Sequence, residues 1–272
     1  MILRVACVQL NSGAEIGPNI TTSSALIRQA HSEGAAFVAT PEVSNLCEMR
    51  PGRAAEKAFN EANEPALQAY RALAAELGIW LLAGSLVVRL EDDPRFANRS
   101  FLIDSEGAVA ARYDKIHMFD VDLEGGESYR ESSRFRPGER SVISPSPWGD
   151  IGMTICYDMR FAYLYRHLAQ AGARILTVPS SFARPTGRAH WHVLLRARAI
   201  ETGCFVIAPA QCGDHEDGRK TYGHSLIVSP WGEILAEAGE EPGVILADLN
   251  LDAVDKARSM VPSLGHDRGY SR

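Results

Sequence analysis

Short apolar runs alternate with helical stretches along this chain, and the alternation starts afresh near residue 150. No other feature restricts the fold as much. Residues 2–9 form an apolar run rich in β-branched side chains, which predicts a strand. Residues 20–32 carry apolar side chains at helical spacing and stop before Gly34. A second apolar run, 35–40, ends at Pro41. Residues 64–77 are rich in Ala and Leu and predict a helix closed by Gly78. The long apolar stretch 79–90 predicts a strand that bends near Gly84. Residues 99–104 and 108–113 flank Ser105-Glu106-Gly107, a hairpin signal. After the restart, strands are predicted at 151–156, 175–178 and 204–208, with helices at 160–171 and 188–202. A hairpin at 224–228 and 233–236 turns on Pro230-Trp231-Gly232. A strand at 244–249 and a helix at 252–260 close the chain. Two halves that each mix strands, helices and hairpins predict α/β or α+β architecture with mixed sheets. The excursion from 117 to 147 is rich in Gly, Pro, Ser and charge, and loops of that length are often functional.

Composition narrows the classes. The chain has 272 residues, 46% hydrophobic and 23% charged, which is globular and long enough to bury a large core. No composition break marks a linker, so one domain over 1–272 is expected. The net charge of −6 favours neither nucleic acid nor a membrane surface as partner. No apolar run approaches the roughly 20 residues that span a bilayer. The N-terminal segment lacks the order of a signal peptide. The five cysteines are odd in number and scattered, which argues against a disulfide framework and for a reducing, cytoplasmic location. Cys212, His215 and His224 make a zinc cluster only on paper, because no ligand-spacing motif accompanies them. His190 and His192 lack the i, i+4 spacing that puts two ligands on one helix face. No glycine pattern for a nucleotide is present, and neither cofactor nor metal is expected.

In three places a reactive side chain follows directly on a strand, where sheet enzymes tend to gather their sites. In Thr40-Pro41-Glu42, proline stiffens the backbone and Glu42 projects from it. In Tyr113-Asp114-Lys115, Lys115 opens the long excursion. In the run 151–158, Cys156 ends a strand just before a helix expected near Arg160. There the unpaired N–H groups would lower the thiol pKa. Taken alone, each has an ordinary reading: a solvated glutamate, a solvated lysine, a buried structural cysteine.

Together, in the order Glu42, Lys115, Cys156, these segments resemble the Glu-Lys-Cys signatures of the nitrilase superfamily of carbon–nitrogen hydrolases. The strongest block is Cys156-Tyr157-Asp158-Met159-Arg160-Phe161, and the resemblance runs from Val5-Ala6-Cys7-Val8-Gln9 to Pro230-Trp231-Gly232. It implies a four-layer α-β-β-α sandwich with two mixed sheets, assembled as a homodimer or larger. It implies Cys156 as nucleophile, Glu42 as general base and Lys115 as the charge beside the tetrahedral oxyanion, joined by the N–H of Tyr157. The base would work if burial raised the Glu42 pKa towards neutral. An amide would acylate Cys156, release ammonia with a proton from Glu42, and leave a thioester for water to open. In the family a second glutamate follows the lysine. Glu131, in Tyr129-Arg130-Glu131-Ser132, fits that place, with Glu124 and Glu127 nearby.

Cys156-Tyr157-Asp158 resembles the amidase-like branches, whereas nitrilases more often carry tryptophan and glutamate after the cysteine. Ser180-Ser181-Phe182 and Thr186-Gly187-Arg188-Ala189-His190-Trp191 resemble a segment that lines the pocket in ω-amidases and deaminated-glutathione amidases. Leu195-Arg196-Ala197-Arg198-Ala199-Ile200-Glu201 and Ala210-Gln211-Cys212-Gly213 look closer to the second of these. The expected partner is therefore a small carboxylate-bearing amide. It would be bound by Tyr157, Phe182, Thr186 and by Arg184, read as a loop arginine that pairs with the carboxylate. The alternatives are an ω-amidase, an N-carbamoyl hydrolase, a nitrilase, or a non-catalytic binding protein of the same fold.

Overall fold

Alternate residues of the first strand, β1 (Ile2–Gln9), face opposite ways, and that alternation decides the layering. Val5 and Cys7 join a buried cluster with Phe37, Leu82, Ile175 and Val206. Ala6 and Val8 join another with Ile27, Leu67 and Leu73, which come from helices. Each fully buried side chain of this kind contributes roughly 1.5–3 kcal/mol. The computed structural model describes residues 1–48, 50, 52–123 and 128–271, so Glu124 and Glu127 lie outside the described residues.

After β1 the chain forms α1 (Ile16–Ser32), β2 (Phe37–Ala39), α2 (Arg53–Lys57), α3 (Pro65–Leu77), β3 (Trp80–Arg89), β4 (Phe96–Ile103) and β5 (Val109–Asp114). A ribbon, β6 (Asp120–Asp122) and β7 (Ser128–Arg130), precedes β8 (Val142–Ser144) and β9 (Ile151–Met153). Then come α4 (Ala162–Gln170), β10 (Ile175–Thr177), α5 (Arg184–Thr202) and β11 (Phe205–Ala208). A second ribbon, β12 (Cys212–Asp214) and β13 (Lys220–Tyr222), leads to β14 (Leu226–Val228), β15 (Ile234–Glu237), β16 (Gly243–Asn250) and α6 (Asp252–Met260).

Two six-stranded sheets result, ordered β16-β1-β2-β3-β4-β5 and β15-β14-β11-β10-β9-β8. Both are mixed, with parallel pairs at the centre and antiparallel pairs outside. α1 and α3 cover the outer face of the first sheet, and α4 and α5 pack on the second. This is the expected four-layer sandwich. α3 starts where the sequence says it should. Glu64 caps it through the Leu67 N–H at 2.6 Å, Pro65 opens it, and Gly78 closes it at φ 65°.

The expected bend in the third strand is a bulge, where the pairing of β3 with β4 shifts between Ala83 and Leu86. Gly84 is required there. A Cβ at this position would stand 1.8 Å from the Thr40 carbonyl oxygen and 2.6 Å from Pro179 Cβ. The ends of β2 and β10 thus converge on one glycine. Two boundaries differ from expectation. The segment after Cys156 is a 3₁₀ turn, Cys156–Arg160, and α4 begins only at Ala162. α5 begins at Arg184, because proline is tolerated in a helix's first turn. Arg184 is therefore helical and not a loop residue.

Candidate active site

Glu42 lies one residue beyond Pro41 at the end of β2, Lys115 directly follows β5, and Cys156 lies three residues beyond β9. The fold brings all three to one cleft enclosing about 790 Å³ of space open to solvent. Glu131 reaches the same cleft from a 3₁₀ turn after β7. Lys115 is 2% exposed and donates to Glu42 Oε1 at 2.8 Å and to both Glu131 oxygens at 2.9 Å. Asn98, on β4, donates its amide N–H groups to Glu42 Oε1 at 2.9 Å and Glu131 Oε1 at 3.2 Å. The Ser181 N–H donates to Glu42 Oε2 at 2.7 Å, and the Phe119 N–H to Glu131 Oε2 at 2.6 Å. Buried charges of this kind persist only when paired and hydrogen-bonded, as these are.

The protonation states differ from the sequence expectation. Burial pushes the Glu42 carboxyl up, but the Lys115 charge and the hydrogen bonds from Lys115, Asn98 and Cys156 more than offset it. Glu42 is held below the usual carboxylate range. Lys115 loses basicity to burial and regains more from Glu131 and Glu42, so it stays protonated. Burial, with Glu42 beside it, pushes the Cys156 thiol far above its ordinary value, against the opposing pull of Lys115. The resting groups are thus a carboxylate, an ammonium and a neutral thiol. The expectation of a thiol lowered by a helix terminus fails because only a short 3₁₀ turn follows and the sulfur is buried. The expectation of a raised Glu42 fails because Lys115 touches it.

Cys156 has φ 47°, a left-handed conformation that costs a non-glycine residue of order 1–3 kcal/mol. Surrounding bonds hold it. The Cys156 N–H donates to Pro179 O at 3.0 Å. Asp158, fully buried, accepts from the Ile155 N–H at 2.9 Å and from the Tyr113 hydroxyl at 2.6 Å. Its other oxygen takes the His117 N–H at 3.1 Å and the His117 ring at 2.7 Å. One carboxylate thereby fastens the cysteine turn to the strand end that carries Lys115. Among the described residues no acceptor takes the Tyr157 N–H. Two buried polar atoms have no partner among the described residues, Asn98 Oδ1 and Ser181 Oγ, and both belong to side chains of the cleft.

Of the substrate-contact candidates, Tyr157, Phe182 and Thr186 line the cleft and Arg184 does not. Arg184 instead pairs with Asp214 at 2.8 Å. Sequence reasoning missed Asn98, Arg134 and Arg219, all of which line the cleft; Ser181, within the pocket-like segment noted in the sequence, lines it too. An asparagine within the otherwise apolar Phe96-Ala97-Asn98 strand start was a usable signal; a charged loop such as 215–220 offers none. As for metals, His215 sits beside Cys47 and Thr221, not Cys212. The side chains of His192, His224 and Glu237 converge, with ligand atoms within 4.8 Å of one another, at a place apart from the cleft.

The sequence profile of the carbon–nitrogen hydrolase family matches residues 4–259, and the chain belongs to that family. Deaminated glutathione amidase of Mus musculus is 41% identical to it over 270 residues, covering 97% of this chain and 83% of the mouse protein. The protein of the same name from Synechocystis sp. is 40% identical over 269 residues, covering 96% of each chain. Among solved structures, the C. elegans NitFhit protein superposes with a TM-score of 0.91 at 34% identity and covers 98% of this chain. This chain spans 65% of the length of NitFhit.

Proposed function

We propose that this protein is a thiol amidase that hydrolyses a small carboxylate-bearing amide, with deaminated glutathione as the substrate to test first. The observation that carries the reading is the Lys115 ammonium, fixed between Glu42 and Glu131 in a buried cleft that also holds Cys156. Relatives named as deaminated glutathione amidases, similar over nearly the whole chain, support the choice of substrate.

Glu42, ionised at rest, takes the Cys156 proton as sulfur attacks the amide carbon. The oxyanion forms towards Lys115 and the Tyr157 N–H, and a donor of this kind is typically worth about 3–4 kcal/mol. Collapse breaks the C–N bond. The leaving nitrogen receives the proton from Glu42, and an acyl thioester remains. Water then gives a proton to Glu42 and adds to the thioester carbon. The second collapse releases the acid and returns the proton to sulfur. Glu131 and Asn98 position Lys115 and Glu42 throughout. A thiol that is neutral at rest suits this sequence, because the carboxylate that activates it is already in place.

The whole chain, 1–272, works as one domain in this reading, with β16 returning to pair with β1. Exposed Tyr163, Val193, Ile200 and Trp231 on the helical face of the second sheet support a homodimer. Five unpaired cysteines fit a reducing cytoplasm, and no helix among the described residues is long and apolar enough to cross a membrane. The test is product release from deaminated glutathione, an ω-amide, an N-carbamoyl compound and a nitrile, each assayed in parallel. Turnover of deaminated glutathione with the best kcat/KM is expected. Silence on every amide together with turnover of the nitrile overturns the proposal.

A further inference from the structure

Three side chains from separate elements meet beside the second sheet. His192 comes from the middle of α5, Glu237 from the last position of β15, and His224 from the turn just before β14. His192 Nε2 stands 2.9 Å from Glu237 Oε1, and His224 Nδ1 stands 3.0 Å from the same oxygen. The two ring centroids are 5.7 Å apart with their planes at 67°, so the rings do not stack and each turns a nitrogen to the carboxylate. In the sequence His192 has only His190 near it, and His224 only Cys212 and His215. The fold instead joins the two to each other and to Glu237.

The backbone of His224 is held in an unusual state. Its φ of 54° lies in the left-handed region, which a residue with a Cβ adopts only under constraint. Among the described residues two other non-glycine residues share that region, Val43 and Cys156, and both line the cleft. The constraint on His224 is visible. The buried Trp191 donates from Nε1 to His224 O at 2.7 Å, and the His224 N–H donates to Gly239 O at 3.0 Å. Its ring stacks on Tyr222 with centroids 4.3 Å apart. Strain retained in this way points to a side chain aimed at a task.

The donor set indicates which task. Two imidazoles and a carboxylate suit a first-row divalent cation, zinc foremost, whereas magnesium and calcium take oxygen ligands. Zinc bonds of about 2.0–2.2 Å at tetrahedral angles set ligand atoms about 3.3 Å apart. Both N–O separations are within about 0.5 Å of that spacing, and all three ligand atoms lie within 4.8 Å of one another. An ionised carboxylate only accepts, so each ring now directs an N–H at Glu237. A metal takes the place of those two protons. Among the described residues nothing bonds His192 Nδ1 or His224 Nε2, so each ring can carry its proton there without breaking a contact.

We infer that His192, His224 and Glu237 form a site for one divalent transition-metal ion, zinc in preference, with water completing the coordination. Such an ion clips α5 to the β14–β15 hairpin. The inference stands apart from the amidase reading, since none of the three residues lines the cleft.

Calorimetric titration of the chelator-stripped protein with zinc chloride tests it, in the Cys156→Ala background so that the active-site sulfur takes no metal. One zinc per chain with a micromolar or tighter Kd is expected. At zinc about 100-fold above Kd, Tm should rise by roughly 5 °C, and magnesium should leave it unchanged. His192→Ala, His224→Asn and Glu237→Gln should each weaken zinc at least about tenfold, since even the loss of an outer partner of a metal ligand costs about 10–100-fold. Asparagine is chosen at 224 because it tolerates left-handed backbone. His190→Ala should keep the parent Kd. Millimolar or weaker binding by the parent, affinity that survives any of the three substitutions, or a magnesium shift equal to that of zinc overturns the site. Where a substituted protein fails to fold, X-ray absorption of the zinc-loaded parent decides: imidazole nitrogen and oxygen around the ion support the site, and sulfur ligation overturns it.

Discussion

The two halves of the molecule are built alike and equipped differently. From β16 through β5, and from β8 through β15, neighbouring strands pair in the same succession: antiparallel, parallel, parallel, antiparallel, antiparallel. The correspondence extends past the strand ends. The Thr40 N–H reaches Leu82 O at 2.9 Å, and the Val178 N–H reaches Ile207 O at the same distance, so Pro41 matches Pro179 and Glu42 matches Ser180. The Lys115 N–H donates to Asn98 O at 3.0 Å, and the Ala238 N–H donates to Ser225 O at 2.9 Å. Cys156, three residues past Met153, matches Leu10, three past Cys7. The first half therefore supplies acid and ammonium, and the second supplies sulfur. At the mirrored stations stand a serine, an alanine and a leucine. One backbone plan offers two places for a site, and side chains arm only one of them.

The sharpest way to break this picture is to separate the halves chemically. Glu42→Gln should lower kcat by about 1000-fold, within the range for loss of a general base. It should also suppress alkylation of Cys156 by iodoacetamide at neutral pH, while the wild type is modified there and spared at its four other buried cysteines. Peptide mapping by mass spectrometry reads this directly; unchanged labelling would mean the second half activates its sulfur unaided. Lys115→Ala should lower kcat by at least about 100-fold, as loss of an oxyanion donor does. The mirrored half should respond otherwise. Ser225 donates to Gln9 at 2.9 Å and accepts from the Ala210 N–H at 2.9 Å, deep in the protein. Ser225→Ala should cost about 1–3 kcal/mol in urea unfolding, because it orphans buried groups, yet leave kcat within twofold.

The smallest expected effect concerns pH. Glu42 has a depressed pKa in the folded chain, so its contribution to stability is present above its unfolded value, about 4.3, and fades as pH falls through the lower folded value. Lys115 has a raised pKa. Its contribution is complete below about 10.4 and fades only as pH rises towards its higher folded value. The pair should therefore add no slope to Tm between about pH 5 and 10. In a Lys115→Met comparison, a wild-type-specific slope inside that window would refute the assigned charge states.

Apolar runs made most strands and helices legible, because burial on one or both faces leaves its period in the sequence. Glu42, Lys115 and Cys156 were legible as reactive types next to strand ends and Glu131 only through the family resemblance, and the fold gathers all four. The β12–β13 ribbon was not legible. It is short and polar, and it is held by partners remote in sequence such as Ser12 and Cys47 around His215. Arg184 was misplaced because Pro185 reads as a breaker when it in fact opens α5. The restart near residue 150 hinted at two like halves, but their station-by-station correspondence was hidden, since it resides in backbone pairing, where a leucine can stand in for a cysteine. The charge states were out of reach for a similar reason: they depend on contacts between residues as far apart as Glu42 and Lys115.

A sulfur that keeps its proton until an acyl group arrives has one more consequence. Peroxide and other soft oxidants attack thiolate far faster than thiol. With Cys156 buried and held well above its ordinary pKa, the resting protein should present little thiolate to an oxidant that Glu42 does not assist. In the proposed mechanism its reactivity is lent by the neighbouring carboxylate at the moment of attack and withdrawn afterwards. Slow oxidation of the resting protein is thus expected from the same burial that, in the proposed mechanism, leaves the sulfur dependent on Glu42.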